Sequence, residues 1–156
     1  MTTYESLLID AEKENVSVIE NFDLTETRLK GLYCDRVIAL GNQIVTETEK
    51  ACVLAEELGH HYTTVGNILN QELDANRKQE LHARMWAYNH LVGLCGIVKS
   101  YKAGYNTVHD MAEYMNVTEE FLSDALERYR QKYGVSVHFD NYSIYFEPNL
   151  QVLEVI

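Results

Sequence analysis

A mostly helical α+β fold is predicted by three features of the chain. Five stretches repeat apolar residues at helical spacing, near residues 4–14, 46–62, 72–99, 108–115 and 118–133. Two pairs of short apolar runs, at 32–40 and 135–146, flank polar turns in the manner of hairpins. Between those pairs stands Ala-Glu-Glu-Leu-Gly-His-His at 55–61, whose acidic and imidazole side chains lie one helical turn apart.

The elements follow in order. Leu7, Leu8 and Ala11 among charges predict a short amphipathic helix, and Val16, Val18 and Ile19 a short extended piece. Leu32-Tyr33-Cys34 and Val37 to Leu40 flank Asp35-Arg36 as two hairpin strands, closed by Gly41-Asn42. Thr46 followed three residues later by Glu49 is a capping box, so a helix starts there and runs to about Tyr62. Ala51, Leu54, Ala55 and Leu58 give that helix one apolar face. Gly66-Asn67 predicts a break. A long helix from about Glu72 to Lys99 follows, with Leu81, Met85, Tyr88, Val92 and Cys95 as its stripe, ended by Gly104-Tyr105-Asn106. Val108, Met111, Ala112 and Met115 form a short helix, and Thr118 caps a last one to about Tyr133. Residues 135–139 and 142–146 alternate around Asp140-Asn141, and Pro148 stops the second strand. The organisation expected is a domain over residues 1–105, built on the motif helix, with a helical subdomain and hairpin over 106–156 packed on the same core.

Composition narrows the function classes. With 46% apolar residues and eleven tyrosines among 156, the chain can bury a core. Its formal charge is −11, from 13 basic and 24 acidic residues. That balance opposes non-specific binding to nucleic acid or anionic membrane and suits a basic protein partner. Cys34, Cys52 and Cys95 are odd in number and scattered, which fits a reducing cytosol. The first residues lack the pattern of a secretory signal, and no apolar run approaches a membrane span. A soluble, cytoplasmic protein is expected.

The motif carries the chemistry. Glu57 precedes His60 by three residues, the spacing of the second half of H-E-x-x-H, in which two ligands one turn apart hold a metal and the glutamate acts as general base. Glu56 stands where the first histidine would be and can itself offer an oxygen. A third ligand is then needed from the next helix, where Glu80 is the choice and His82 its competitor. The same spacing also suits an exposed helix bearing solvated Glu-Glu and His-His pairs. His61 is four residues from Glu57 and competes for the frame. His90, His109 and His138 are isolated, which suits structural or exposed roles, and Trp86 and Tyr88 suit a core or groove lining. Nothing places a base beside a cysteine.

The segment Ala51-Cys-Val-Leu-Ala-Glu-Glu-Leu-Gly-His-His-Tyr-Thr-Thr-Val-Gly66 resembles the ImmA/IrrE family of metallo-endopeptidases from phages and mobile elements. The strands from Leu29 to Leu40 share the likeness, which covers about residues 4 to 133. The family motif is usually H-E-x-G-H, so Gly59 favours the frame ending at His60. Glu80, Ala83, Trp86 and Ala87 resemble the family's later E-x-x-A-x-x-F-A helix, with Trp for Phe. The resemblance implies a zincin-like domain with zinc, or another divalent metal such as manganese, on Glu56, His60 and Glu80, and Glu57 as catalytic base. It also implies an activity that relieves repression by cleaving, or promoting cleavage of, a phage-type helix-turn-helix repressor. The alternative is a non-catalytic antirepressor that sequesters the repressor. Residues 110–121 themselves resemble a helix-turn-helix, but the second helix begins Thr-Glu-Glu, which phosphates would repel. That unit is expected to serve packing or a protein partner.

Overall fold

The computed structural model describes residues 1–63 and 73–155. The expected break at Gly66-Asn67 and the expected helix start at Glu72 lie outside the described residues. The described chain is mostly helical α+β, in two compact units, Met1–Ala87 and Tyr88–Ile156.

In the first unit, helix α1 (Thr3–Lys13) opens on a full capping box in which Thr2 and Glu5 satisfy each other's backbone N–H. Strands β1 (Ser17–Phe22), β2 (Gly31–Cys34) and β3 (Val37–Gly41) form one sheet in the order β1-β3-β2. The β2–β3 hairpin is antiparallel as expected, whereas β1 joins β3 in parallel. Asp35 and Arg36 both take positive φ, the two-residue turn whose twist matches the strands. Arg36 is secured there by a bond from its guanidinium to the Glu14 carbonyl at 2.8 Å.

Helix α2 (Glu47–Thr63) starts where Thr46 accepts the Glu49 backbone N–H at 3.1 Å. It packs on β2, β3 and α1. Leu7, Ala11, Ile38, Leu40, Leu54 and Leu58 form the core, each almost completely buried. The other sheet face leaves Ile19, Leu32 and Val37 exposed.

The expected single helix to Lys99 is two helices, α3 (Leu73–Leu91) and α4 (Gly93–Lys102). Val92 leaves helical geometry and Gly93 takes φ +66°, a conformation that a side chain disfavours. The Gly93 N–H freed at the break donates to the buried Tyr129 hydroxyl, which donates in turn to Asn89. The apolar stripe continues across the break, so periodicity alone could not show it.

The second unit contains α4, α5 (Val108–Met115), α6 (Glu119–Tyr133) and the antiparallel meander β4 (Ser136–Phe139), β5 (Tyr142–Tyr145), β6 (Gln151–Glu154). Thr107 and Thr118 cap α5 and α6, and Asn116 ends α5 in the left-handed conformation. The strand β6 was not expected: of its four residues only Val152 is buried, which leaves little alternation to read.

Candidate metal centre and catalytic base

Helix α2 presents two adjacent rows. Glu57 and His61 form one, Glu56 and His60 the other, each pair at i, i+4. Gly31 and Tyr33, two residues apart on β2, meet the first row. A Cβ on Gly31 would lie 2.6 Å from Val53 Cγ1 and 3.1 Å from Glu57 Oε1, so the strand approaches only because position 31 has no side chain. The Glu57 carboxyl is thereby enclosed. Burial pushes it up to about 7, against the opposing pull of His60 and with the negative charges of Glu56 and Glu80 adding to the rise.

The second row meets α3. The helices touch at Gly59, where an added Cβ would be 2.2 Å from the Ala83 carbonyl oxygen. Ala83 and Ala87 are fully buried. This contact brings Glu80, one turn before Ala83, to His60: Nε2 and Oε2 are 3.0 Å apart. The other Glu80 oxygen takes Arg84 at 3.3 Å. The hydrogen bond to Glu80 is the main cause raising the His60 pKa, burial opposes it, and Glu57, Glu80 and Glu56 add to the rise. The same bond is the main cause lowering Glu80. The two shifts agree: without an ion, the pairing favours the charged imidazole and the charged carboxylate together.

His61 is committed elsewhere. Its Nδ1 meets the Tyr33 hydroxyl at 2.8 Å and its Nε2 meets Glu14 Oε2 at 3.3 Å, with the side chain only 11% exposed. The ring stands edge-on to Tyr33 and to Tyr62, and Tyr62 stacks on Trp86 with centroids 4.7 Å apart. The Tyr62 phenol is raised by burial and then by the negative charge of Glu14 and Asp10. His82, the competitor for third ligand, is exposed.

Of the expected ligands, His60 and Glu80 are together. Glu56 lies one turn back along the same row, near enough to act electrostatically on His60 and Glu57. Its donor oxygen is not gathered with the other two. Among the described residues, the trio with donor atoms all within 4.8 Å is His109, Asp110 and Glu113, exposed on α5. That trio is engaged with its neighbour, since His109 Nδ1 is 2.5 Å from Glu119 on α6. The structure adds three residues that the sequence reading did not single out: Gly31, Tyr33 and Glu14. Only the glycine before a short hydrophobic strand was a usable signal for the first, and nothing local marked the other two.

A small mixed sheet lies against a helix bearing Glu57 and His60, and the next helix brings a carboxylate to His60, an arrangement compatible with a zincin-like fold. The model of the IrrE N-terminal-like domain, a peptidase family, matches residues 11–145, and the chain belongs to that family. No curated protein and no solved structure matches it. Among the described residues, no helix is long and apolar enough to cross a membrane.

Proposed function

We propose that the chain is a metal-dependent endopeptidase of the ImmA/IrrE type, acting in the cytoplasm on a phage-type helix-turn-helix repressor and so relieving repression. The observation that carries this reading is the half-buried Glu57 carboxyl beside the His60–Glu80 pair. The donor set fits a divalent ion: one imidazole nitrogen and one carboxylate oxygen already stand 3.0 Å apart, close to the separation of two ligands sharing an ion. Glu56 would complete the set by turning its carboxylate along the row. A bound ion would supply Lewis-acid polarisation and a more acidic water.

The protein's own part follows from Glu57. A carboxyl at about 7 is balanced between base and acid near neutrality, which suits it to take a proton and return it. It takes one from water as the water oxygen attacks the peptide carbonyl carbon. It then delivers that proton to the leaving amine nitrogen as the C–N bond breaks. The strand β2, whose outer side bears no neighbouring strand among the described residues, supports binding of an extended peptide by strand addition.

His60→Ala should lose the metal, because only two of the three proposed protein ligands remain. Elemental analysis of the purified protein and this variant checks it, and equal stoichiometry in both would rule out the ligand set. Glu56 favours a second reading, the antirepressor that binds its partner without cutting. Two carboxylates and one imidazole cancel the charge of a divalent ion, where the usual set leaves about one positive charge. The set is also harder, which narrows the preference for zinc over manganese. Glu56→His should therefore tighten zinc binding and move the activity optimum to lower pH. Metal titration and a pH profile on a candidate repressor decide between the readings. Wild-type protein that binds the repressor but leaves it intact with zinc and with manganese supports the antirepressor.

A further inference from the structure

Four rings form a continuous ribbon in the first unit: Tyr33 on the edge strand β2, His61 and Tyr62 at the end of α2, and Trp86 on α3. The ribbon runs past the His60–Glu80 pair, since His60 adjoins His61 and Glu80 shares α3 with Trp86. Tyr62 is 38% exposed. Its surroundings are negative. Glu14 reaches His61 at 3.3 Å, and Glu14 and Asp10 both act electrostatically on Tyr62. An apolar ligand would suit the rings and ignore the carboxylates; an anion would be repelled by them. A planar cation satisfies both, because a guanidinium stacks on an aromatic face while its edge donates to carboxylates.

We propose that this ribbon, flanked by Asp10 and Glu14, docks an arginine side chain of a peptide partner, lysine serving less well. The inference deepens the reading of this site as one that binds a peptide segment, giving it a preference for a basic side chain next to the strand-bound segment. It also holds for a partner that is bound and not cut. The chain as a whole, at −11, attracts a basic partner to the same site.

Trp86 is the only tryptophan, so its fluorescence reports the ribbon directly. The test uses Glu57→Gln protein, to prevent turnover, and two blocked tripeptides, acetyl-Ala-Arg-Ala-amide and its citrulline counterpart. Citrulline keeps the planar shape and removes the charge. The arginine peptide should change Trp86 emission saturably and bind at least about threefold more tightly than the citrulline peptide. The gap should shrink as salt is raised. Asp10→Asn should weaken the arginine peptide and leave the citrulline peptide nearly unaffected, and Tyr62→Leu should weaken the arginine peptide more than the citrulline peptide. Equal binding of the two peptides, or no saturable response up to about 10 mM, overturns the proposal. The comparison of peptides needs no variant of the ribbon, so a misfolded Tyr62→Leu leaves the test intact. Cleavage of peptides without an arginine preference would overturn the docking surface and leave the peptidase standing. Arginine binding by a chain that cleaves nothing would do the reverse.

Discussion

Glu57→Gln should reduce peptide hydrolysis by about 10²–10⁴-fold while the metal stays bound, because glutamine keeps the shape of the side chain and cannot accept a proton. The same change has a second, opposite signature in the metal-free protein. The Glu57 carboxyl titrates at about 7 in the folded state, above an ordinary glutamate near 4.5. Between those values the folded protein binds more protons than the unfolded chain, so stability falls as pH rises through that window. Below about 4.5 the penalty is absent, and above about 7 it is complete, on the order of 3 kcal/mol. With chelator present, Glu57→Gln should therefore be more stable than wild type at pH 8 and about equal at pH 4. Denaturant titrations at the two values measure this. A variant that loses activity without the alkaline gain in stability would mean that Glu57 is not enclosed as described. Full activity in the variant would remove it as the base.

Gly59→Ala should cost about 1–3 kcal/mol, although alanine is the better helix former. The added Cβ would meet the Ala83 carbonyl oxygen at 2.2 Å, with the Ala83 carbonyl carbon and Cα at 2.9 and 3.0 Å. All three atoms are backbone, so α2 and α3 must separate. Separation pulls His60 from Glu80, and metal affinity should fall about tenfold or more by the loss of ligand positioning. Gly96→Ala is the control. Its Cβ would meet only the flexible Met115 sulfur at 3.2 Å, so the change should be neutral or stabilising. Thermal melts and zinc titrations on both variants test the contrast. Equal melting temperatures and affinities for Gly59→Ala and wild type would contradict the close helix crossing.

Much of the fold was legible because most elements carry their own punctuation. Thr46, Thr107 and Thr118 each start a helix with a side-chain cap, and Asp35-Arg36 and Asp140-Asn141 close hairpins where polar residues interrupt hydrophobic runs. The parallel pairing of β1 with β3 was not legible, since partner choice is decided by the core and not by the strand itself. The break at Gly93 was hidden by an unbroken apolar stripe, and its hydrogen-bond partner, Tyr129, is thirty-six residues away. At the site, spacing alone put Glu57 and His60 on one helix and suggested Glu80. The commitment of His61 to Tyr33 and Glu14 depends on contacts across 28 and 47 residues, beyond the reach of any local pattern.

The doubled row on α2 has a consequence for how the chain tolerates change. The row Glu56–His60 repeats one residue later as Glu57–His61: both rows carry an acid followed four residues on by an imidazole. The reactive side chains therefore carry almost no information about which row is which. That information resides in Gly59 and Gly31, where backbone or a neighbouring side chain comes closer than any Cβ permits. The address of the site is written in the two residues that have no side chain, and the chemistry is delivered to whatever they admit.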